Sequence, residues 1–318
     1  MELVTDHWQQ AVSVVEIGAT KQDGGTRSSV VRIGGEKALP FLGGREGMPH
    51  KPVIAFEVWD IAPSDWPQEL NQQFKDEFSD PLAWAQKCVK EYHAQLICLR
   101  LAGAHPDSGD KSPEAEAKLV GQFLKHVSVP LVIVGCGDDT KDNLVIPACC
   151  EAAKAERCLV GSAVTDNYKT ITASVLADGH SIIAESPIDI NIAKQLNILI
   201  SDMGLPLEKI VINPTIGALG YGLEYAYSIM ERARLAALSG DKTVASPFIC
   251  FAGQESWRAK EAKAPQSEFP SWGPEKERGI VWEIVTATAL LQAGADLLVM
   301  RHPAAVEKIN QYIGKLCS

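Results

Sequence analysis

The segment VIAFEVWD at residues 53–60 is the first of eight short apolar runs, and these runs decide the fold of the chain. Between the runs lie longer stretches whose apolar residues recur every three or four positions, as in GLEYAYSIMERARLAAL at residues 222–238. Strand-like runs that alternate with helix-like stretches are typical of a parallel sheet whose strands are connected by helices. The other runs are LICLRLAG (96–103), LVIVGCG (131–137), CLVGSAV (158–164), SIIAESP (181–187), IVINPT (210–215), FICFAG (248–253) and LLVMRH (297–302).

The number and spacing of these runs favour a closed barrel. Eight βα units occupy residues 51–318, and a (β/α)8 TIM barrel typically has about 250 residues. The alternative is an open doubly wound sheet, which normally carries a glycine-rich fingerprint directly after its first strand. Here the first run leads instead into Ile61-Ala62-Pro63. We therefore expect an α/β protein with a (β/α)8 TIM barrel over residues 51–318.

The region before the barrel, residues 1–50, has a different pattern. The segments AVSVVEIG (11–18) and SSVVRIGG (28–35) flank a polar stretch that contains Gly24-Gly25. Two strand-like segments around a glycine-containing polar stretch predict a β-hairpin. We expect an N-terminal hairpin extension that either caps the lower end of the barrel or contributes to an interface.

The charge and hydropathy of the chain exclude several classes of protein. Thirty basic and forty acidic residues give a net charge of −10, which disfavours general binding to nucleic acid phosphates. The first ten residues, MELVTDHWQQ, lack the pattern of a signal peptide, and no apolar run approaches the roughly 18 residues that cross a bilayer. We expect a cytoplasmic protein without a membrane segment.

The side chains that most often carry catalysis or metals do not form a recognisable motif. The eight cysteines include no Cys-x-x-Cys, so a reduced, mostly buried set of thiols is expected rather than an iron–sulfur cluster. Asp138 and Asp139 beside Cys136 could hold a metal, but turn and helix-cap chemistry explains them equally well. No lysine ends a strand, and no Gly-x-Ser-x-Gly is present. We predict no metal site and no catalytic residue in this chain.

Four charged residues stand near the carboxyl ends of the predicted strands, where TIM barrels bind their ligands. They are Glu57, Arg100, Glu185 and Arg301. Because the first, second and last strands become neighbours when the barrel closes, Arg100 and Arg301 are expected to flank Glu57. This group is either a compensated ion network or a set of hydrogen-bonding groups for a ligand at the barrel mouth.

The sixth run continues into the glycine-rich loop NPTIGALGYG at residues 213–222. Its glycines allow a backbone to approach a flat or bulky ligand, and a helix follows directly. The order of the glycines fits neither a P-loop nor a dinucleotide fingerprint. A tight turn with a helix cap would explain the same pattern, so both interpretations stay open.

The segment QESWRAKEAKAPQSEFPSWGP at residues 254–274 follows the seventh run and carries Trp257, Phe269 and Trp272. A loop of this length is unusual unless it is functional or disordered, and its aromatic residues argue against disorder. These aromatics either pack on the helices of the barrel or anchor a partner.

Four segments together resemble a known family. The loop at 213–222 resembles the strand-six loop of pterin-binding TIM barrels. Taken with ALPF (38–41), GMPHKPVIAFEV (47–58) and RHPAAV (301–306), the chain resembles the small subunits of corrinoid/iron–sulfur proteins, also called the delta subunits of the CO dehydrogenase/acetyl-CoA synthase complex. The resemblance extends from about residue 11 to the C-terminus.

This resemblance implies a non-catalytic subunit of a methyl-transfer complex. In that family a large subunit supplies the [4Fe-4S] cluster and a cobamide-binding domain, and the barrel of the small subunit caps the cobamide. The cobamide receives a methyl group from methyltetrahydrofolate through a separate methyltransferase and passes it to acetyl-CoA synthase. The resemblance thus implies a shared cobamide, no cluster in this chain, and five residues facing the cobamide: Asn213, Thr215, Gly217, Gly220 and Tyr221.

Two other functions stay open. The barrel could itself bind a methylated pterin and catalyse methyl transfer to cobalt, as the likeness of the 213–222 loop suggests. Against this, only Asn213 keeps the amide or acidic side chain that pterin-binding relatives use at their strand ends, and the second and third runs end in Leu-Ala-Gly and Gly-Cys-Gly. The third possibility is an unrelated barrel enzyme for a small molecule.

Overall fold

In the computed structural model, which describes residue 8, residues 10–40 and residues 48–317, eight parallel strands close into one barrel. The strands are hydrogen-bonded in chain order, and the last strand, Ala295–Met300, pairs with the first barrel strand, Val53–Trp59. This closure confirms the predicted TIM barrel and excludes the open sheet. The barrel strands are β3 (Val53–Trp59), β4 (Ile97–Arg100), β5 (Leu131–Val134), β6 (Leu159–Ala163), β7 (Ser181–Glu185), β8 (Ile210–Asn213), β9 (Phe248–Cys250) and β10 (Ala295–Met300).

Helices follow the strands and surround the barrel. Several are preceded by an N-cap residue whose side chain accepts hydrogen bonds from the first turn of the helix. Asp80, for example, accepts from Leu82 N and Ala83 N. None of the helices in the described part of the chain is long and apolar enough to cross a membrane. The helices are α1 (Gln68–Phe74), α2 (Pro81–Lys90), α3 (Pro113–His126), α4 (Asp139–Ala152), α5 (Tyr168–Asp178), α6 (Ile190–Asp202), α7 (Leu223–Leu238), α8 (Ala252–Arg258), α9 (Lys260–Lys263), α10 (Glu275–Ala293) and α11 (Pro303–Leu316).

The alternation of side chains along each strand divides the core into two layers. In β4, Ile97 and Leu99 pack between the sheet and the helices, whereas Cys98 belongs to a separate cluster formed with Ala55, Val132 and other strand residues. This second cluster fills the interior of the barrel. The barrel is therefore a packed core, and a ligand can only be bound at an end of it.

The predicted N-terminal hairpin is present and closes the lower end of the barrel. Its strands, β1 (Val14–Ile17) and β2 (Val31–Gly34), pair antiparallel. Val15, Ile17, Val31 and Ile33 join the apolar cluster inside the barrel. Of the two positions left open by the sequence, the hairpin thus occupies the lower end. The part of the predicted 1–50 extension at residues 1–7, 9 and 41–47, including Phe41 and Gly47 of the family resemblance, lies outside the described residues.

The segment 254–274 is not the long loop that the sequence predicts. Helix α8 begins at Ala252 and α9 ends at Lys263, so much of the segment is helical. Trp257 is buried, and its indole Nε1 donates to Glu283 Oε2 at 2.8 Å. Its ring packs against Gly279, where a side chain would collide with it. Trp257 is therefore part of the core of this chain and is not available to anchor a partner.

Candidate functional site

A cavity of about 770 Å3 lies at the carboxyl ends of the barrel strands, opposite the hairpin. We call it the mouth cavity. Ligand sites of TIM barrels lie at this end because the loops after the strands meet there. The residues that line it come from β4 to β9 and the segments that follow them: Arg100, Val134, Gly135, Cys136, Gly137, Asp139, Asp142, Ser162, Val164, Thr165, Asp166, Glu185, Pro187, Asn213, Thr215, Ile216, Phe251, Gln254, Glu255 and Arg258.

Two of the five predicted site residues, Asn213 and Thr215, line the mouth cavity. Asn213 ends β8, and its Nδ2 donates to Glu185 Oε2 at 2.9 Å, while its Oδ1 accepts from Thr215 N at 3.1 Å. Thr215 has a φ of +51°, and its hydroxyl donates to the Ser186 carbonyl oxygen at 2.7 Å. These bonds fix an amide and a carboxylate side by side at the edge of the cavity.

The other three predicted residues, Gly217, Gly220 and Tyr221, are not among the residues that line the cavity. A side chain at Gly217 would collide with the carbonyl group of Tyr221, so this glycine is required by the turn itself. Tyr221 is 50 % exposed, and its hydroxyl donates to Glu261 Oε2 at 2.9 Å and accepts from Lys260 N at 3.1 Å. In this structure the glycine-rich loop forms a turn that docks on α9.

The predicted ion network at the upper end of the barrel is confirmed. Arg100 Nε and Arg301 Nε each donate to one oxygen of Glu57 at 2.5 Å, and the Glu57 side chain is fully buried. Burial alone would raise the pKa of Glu57, but the charges of Arg301 and Arg100 outweigh it and lower the pKa to about 2. Glu57 is therefore ionised, and the three residues carry a net charge of +1.

Acidic side chains line the part of the cavity that follows β5, β6 and β7. Burial raises the pKa of Asp139, and the nearby carboxylates of Asp142 and Asp166 add to this effect. Asp142 accepts hydrogen bonds from Cys136 N at 2.8 Å and from Gly137 N at 3.0 Å. Asp138 accepts from Lys141 N at 2.8 Å as the N-cap of α4, and Asp139 Oδ1 accepts from Asn167 Nδ2 at 3.2 Å, so helix capping and local hydrogen bonds account for both aspartates.

The Cys136 thiol is a poor nucleophile in this position. Burial raises its pKa to about 12, and its Sγ lies 3.2 Å from Asp142 Oδ1, to which it donates. At neutral pH the group is a thiol and not a thiolate. The mouth cavity thus offers both hydrogen-bond donors and hydrogen-bond acceptors, while the Cys136 thiol is held in its unreactive form.

Sequence reasoning missed several residues of the cavity. Ser162 lies in β6, Thr165 and Asp166 follow it, and Gln254 and Arg258 belong to α8. Gln254 Oε1 accepts from Arg100 Nη2 at 2.8 Å and so joins the Glu57 network to α8. The available signal was position alone, because all five lie near the carboxyl end of a predicted strand or within five residues after it.

Solved structures with a similar fold include dihydropteroate synthases. One from Xanthomonas albilineans, in complex with indole-2-carboxylic acid and 6-chloroguanine, has a TM-score of 0.56 at 12 % identity and covers 84 % of this chain and 93 % of its own. Another, from Coxiella burnetii in complex with pteroic acid, has a TM-score of 0.55 at 12 % identity and covers 96 % of this chain and 99 % of its own. At this identity the likeness concerns the fold alone.

Curated relatives are far more similar in sequence. The acetyl-CoA decarbonylase/synthase complex subunit delta of Methanocaldococcus jannaschii is 38 % identical over 95 % of this chain and 73 % of its own length. The subunit of the same name from Methanothermobacter thermautotrophicus is 39 % identical over 93 % of this chain and 75 % of its own length. The sequence model of the family CdhD, described as CO dehydrogenase/acetyl-CoA synthase delta subunit, matches residues 15–309. The chain therefore belongs to the CO dehydrogenase/acetyl-CoA synthase delta subunit family.

Proposed function

We propose that this chain is the small, non-catalytic subunit of a corrinoid/iron–sulfur protein and that its barrel mouth caps a cobamide carried by a large subunit. The observation that carries the proposal is the wide polar cavity of about 770 Å3 at the mouth of a barrel of this family. When bound, a cobamide supplies a cobalt centre that accepts and gives up a methyl group. The barrel would bind, orient and shield the cobamide.

The lining of the mouth suits the edge of a corrin ring. A corrin carries neutral amide side chains, each of which both donates and accepts hydrogen bonds. The cavity presents donors such as Arg100 and Arg258 together with acceptors such as Glu185 and Asp166. Asn213 can do both, although its amide already bonds Glu185 and Thr215. A mixed rim of this kind supports an amide-rich macrocycle better than a small, uniformly charged substrate.

The five residues proposed to face the cobamide fall into two groups according to whether they line the cavity. Asn213 and Thr215 would contact it directly, since both line the cavity. Gly217, Gly220 and Tyr221 would act indirectly, by forming the turn that sets the position of Thr215 and by docking that turn on α9. The partners in this scheme are the large subunit, a methyltetrahydrofolate methyltransferase and acetyl-CoA synthase.

The experiment compares two bulky substitutions in the complex of this chain with its large subunit. Thr165 is exposed and lines the mouth cavity, whereas Ser239 is exposed at the end of α7, at the lower end of the barrel. We expect Thr165→Trp to reduce cobalt per complex or the affinity of the two subunits, and Ser239→Trp to leave both unchanged. Equal behaviour of the two variants would contradict the proposal.

The isolated chain tests the alternative that the barrel is itself a pterin-dependent methyltransferase. Calorimetric titration of the isolated chain with methyltetrahydrofolate should then give saturable binding, and Asn213→Ala should weaken it. The proposed capping role predicts no saturable binding to the isolated chain.

A further inference from the structure

A second cavity of about 350 Å3 opens beside the mouth cavity. We call it the side recess. It shares Arg100, Cys136, Gln254 and Arg258 with the mouth cavity, so the two spaces adjoin. The capping role does not account for its other walls, among which are Trp59 and Arg301.

Arg301 is buried in the wall of this recess without enough partners. The residue is only 4 % exposed, and its Nε donates to Glu57. Its two terminal amino groups have no hydrogen-bond acceptor in the described part of the chain. The guanidinium lies over the rings of Trp59 and Trp66, at 5.5 and 4.9 Å from their centroids. The terminal amino groups are not among the fully buried side-chain atoms without a partner, so their donors are open to the solvent space of the recess that Arg301 lines.

Trp59, which lines the same recess, carries a second unused donor. Its Nε1 is buried and has no hydrogen-bond partner among the described residues. Arg100 also lines the recess, with one side-chain nitrogen on Glu57 and another on Gln254. The walls of one small space thus carry unused donors from Arg301, directly after β10, and from Trp59, at the end of β3.

The charges around the recess favour an anion there, although the whole chain has a net charge of −10. Glu57 neutralises only one of the two arginines that it contacts. The acidic residues of the recess, Asp65 and Asp107, are exposed, and the Asp107 side chain is 93 % exposed. Their charges are screened by water, whereas the buried arginine acts at short range in a medium of lower dielectric.

We propose that the side recess binds a phosphate-type oxyanion, held by the terminal amino groups of Arg301 and by Trp59 Nε1, with Arg100 and Arg258 beside it. The fork of a guanidinium matches two oxygens of a tetrahedral phosphate group. The phosphate is either free in solution or part of a larger ligand in the mouth. A cobamide carries one phosphate, in its nucleotide tail.

The first experiment uses the full chain and inorganic phosphate at constant ionic strength, followed by calorimetry. We expect saturable binding with one site. Trp59→Phe removes the indole donor and keeps the ring under Arg301, so it should weaken phosphate binding about fivefold to tenfold. Trp66→Phe is the matched control, because Trp66 also contacts Arg301 and has an unpartnered buried Nε1 but does not line the recess. Its affinity should stay within about twofold of the wild-type value.

A second variant keeps the test informative if Trp59→Phe does not fold. Arg258 is exposed at the rim, with a side chain 64 % exposed, so Arg258→Gln is expected to fold normally and to weaken phosphate binding. Absence of saturable binding to the wild-type chain would overturn the proposal. Equal losses in Trp59→Phe and Trp66→Phe would overturn it as well, since the effect would then come from the packing of Arg301.

An experiment on the complex with the large subunit distinguishes free phosphate from the phosphate of the cobamide's nucleotide tail. Only this experiment rests on the proposed function. Cobalamin carries the nucleotide tail, and cobinamide lacks it together with the phosphate. If the tail occupies the recess, Trp59→Phe should reduce retention of cobalamin and not of cobinamide. If both are retained as in the wild type while phosphate still binds the isolated chain, the recess takes free phosphate. If neither corrinoid is retained by the wild-type complex, the proposed function fails and the phosphate site stands.

Discussion

Replacing Glu57 with glutamine should destabilise the chain more than almost any other single change of charge. Each carboxylate oxygen accepts from one arginine at 2.5 Å, and the side chain has no exposure to solvent. Glutamine keeps the shape of the group but leaves buried Arg301 and half-buried Arg100 without a counter-charge. Breaking a buried pair in this way typically costs about 3–5 kcal/mol.

Glu16 offers a matched control within the same chain. It also bridges two arginines, Arg32 at 2.8 Å and Arg157 at 2.6 Å, but its side chain is 37 % exposed. Water and salt screen such a surface pair, so Glu16→Gln should cost under about 1 kcal/mol. The comparison separates the effect of burial from the number of ion pairs lost.

Urea titration at pH 7 measures both variants, with the slope of unfolding free energy against urea checked for a constant value. For a chain of 318 residues the expected loss in Glu57→Gln corresponds to a melting temperature lower by about 4–7 °C. Equal losses in Glu57→Gln and Glu16→Gln would refute the reasoning, because they would show that the Glu57 network is not effectively buried.

The acid range gives an independent check on the same residue. The folded-state pKa of about 2 lies below the ordinary value of 4.5. The stability that comes from ionised Glu57 is therefore complete above pH 4.5 and is lost as the pH falls toward 2. The difference in unfolding free energy between the wild type and Glu57→Gln should shrink across that range.

Three further predictions concern other parts of the barrel. Trp257→Ala should cost about 3–5 kcal/mol in urea titration, whereas Trp272→Ala, at a residue 37 % exposed, should cost under about 1 kcal/mol; equal costs would contradict the assignment of Trp257 to the core. Burial and a neighbouring carboxylate raise the pKa of Glu116 to about 8 from 4.5, so wild-type stability should fall as the pH rises between these values, and Glu116→Gln should remove that fall. Gly217→Ala should lower the melting temperature more than Gly220→Ala, because a side chain at 217 collides with the Tyr221 carbonyl, whereas a side chain at 220 meets open space and is strained only by the φ of +78°; the reverse order would exclude the proposed turn.

The strands were predictable because a strand that is buried on both faces consists of a short, nearly continuous run of apolar residues. The run at 53–60 becomes β3, Val53–Trp59, and the run at 181–187 becomes β7, Ser181–Glu185. The seventh predicted run, 248–253, extends beyond the strand, since β9 ends at Cys250 and α8 begins at Ala252. A short apolar strand that leads directly into an apolar helix gives no signal at the junction.

The site was predictable only where strand order fixes it. Closure of the barrel brings β10 and β4 to either side of β3, and this alone places Arg301 and Arg100 beside Glu57. Beyond the strand ends, the directions in which residues point depend on the geometry of each loop, and sequence periodicity does not encode that geometry. Thr215 turns into the mouth with a φ of +51°, and the following turn carries Tyr221 toward α9.

The capping role is tested most directly by the distance from cobalt to the two ends of the barrel. In the complex with the large subunit, pulsed electron paramagnetic resonance can measure the separation between Co(II) of the cobamide and a nitroxide label on Thr165→Cys or Ser239→Cys. The native cysteines are buried except for half-buried Cys136, whose thiol has a pKa of about 12, so labelling is selective. Because the barrel strands separate the two positions by roughly 20 Å, we predict a clearly shorter distance from residue 165. An equal distance, or a shorter one from residue 239, would contradict the claim that the mouth of this barrel faces the cobamide.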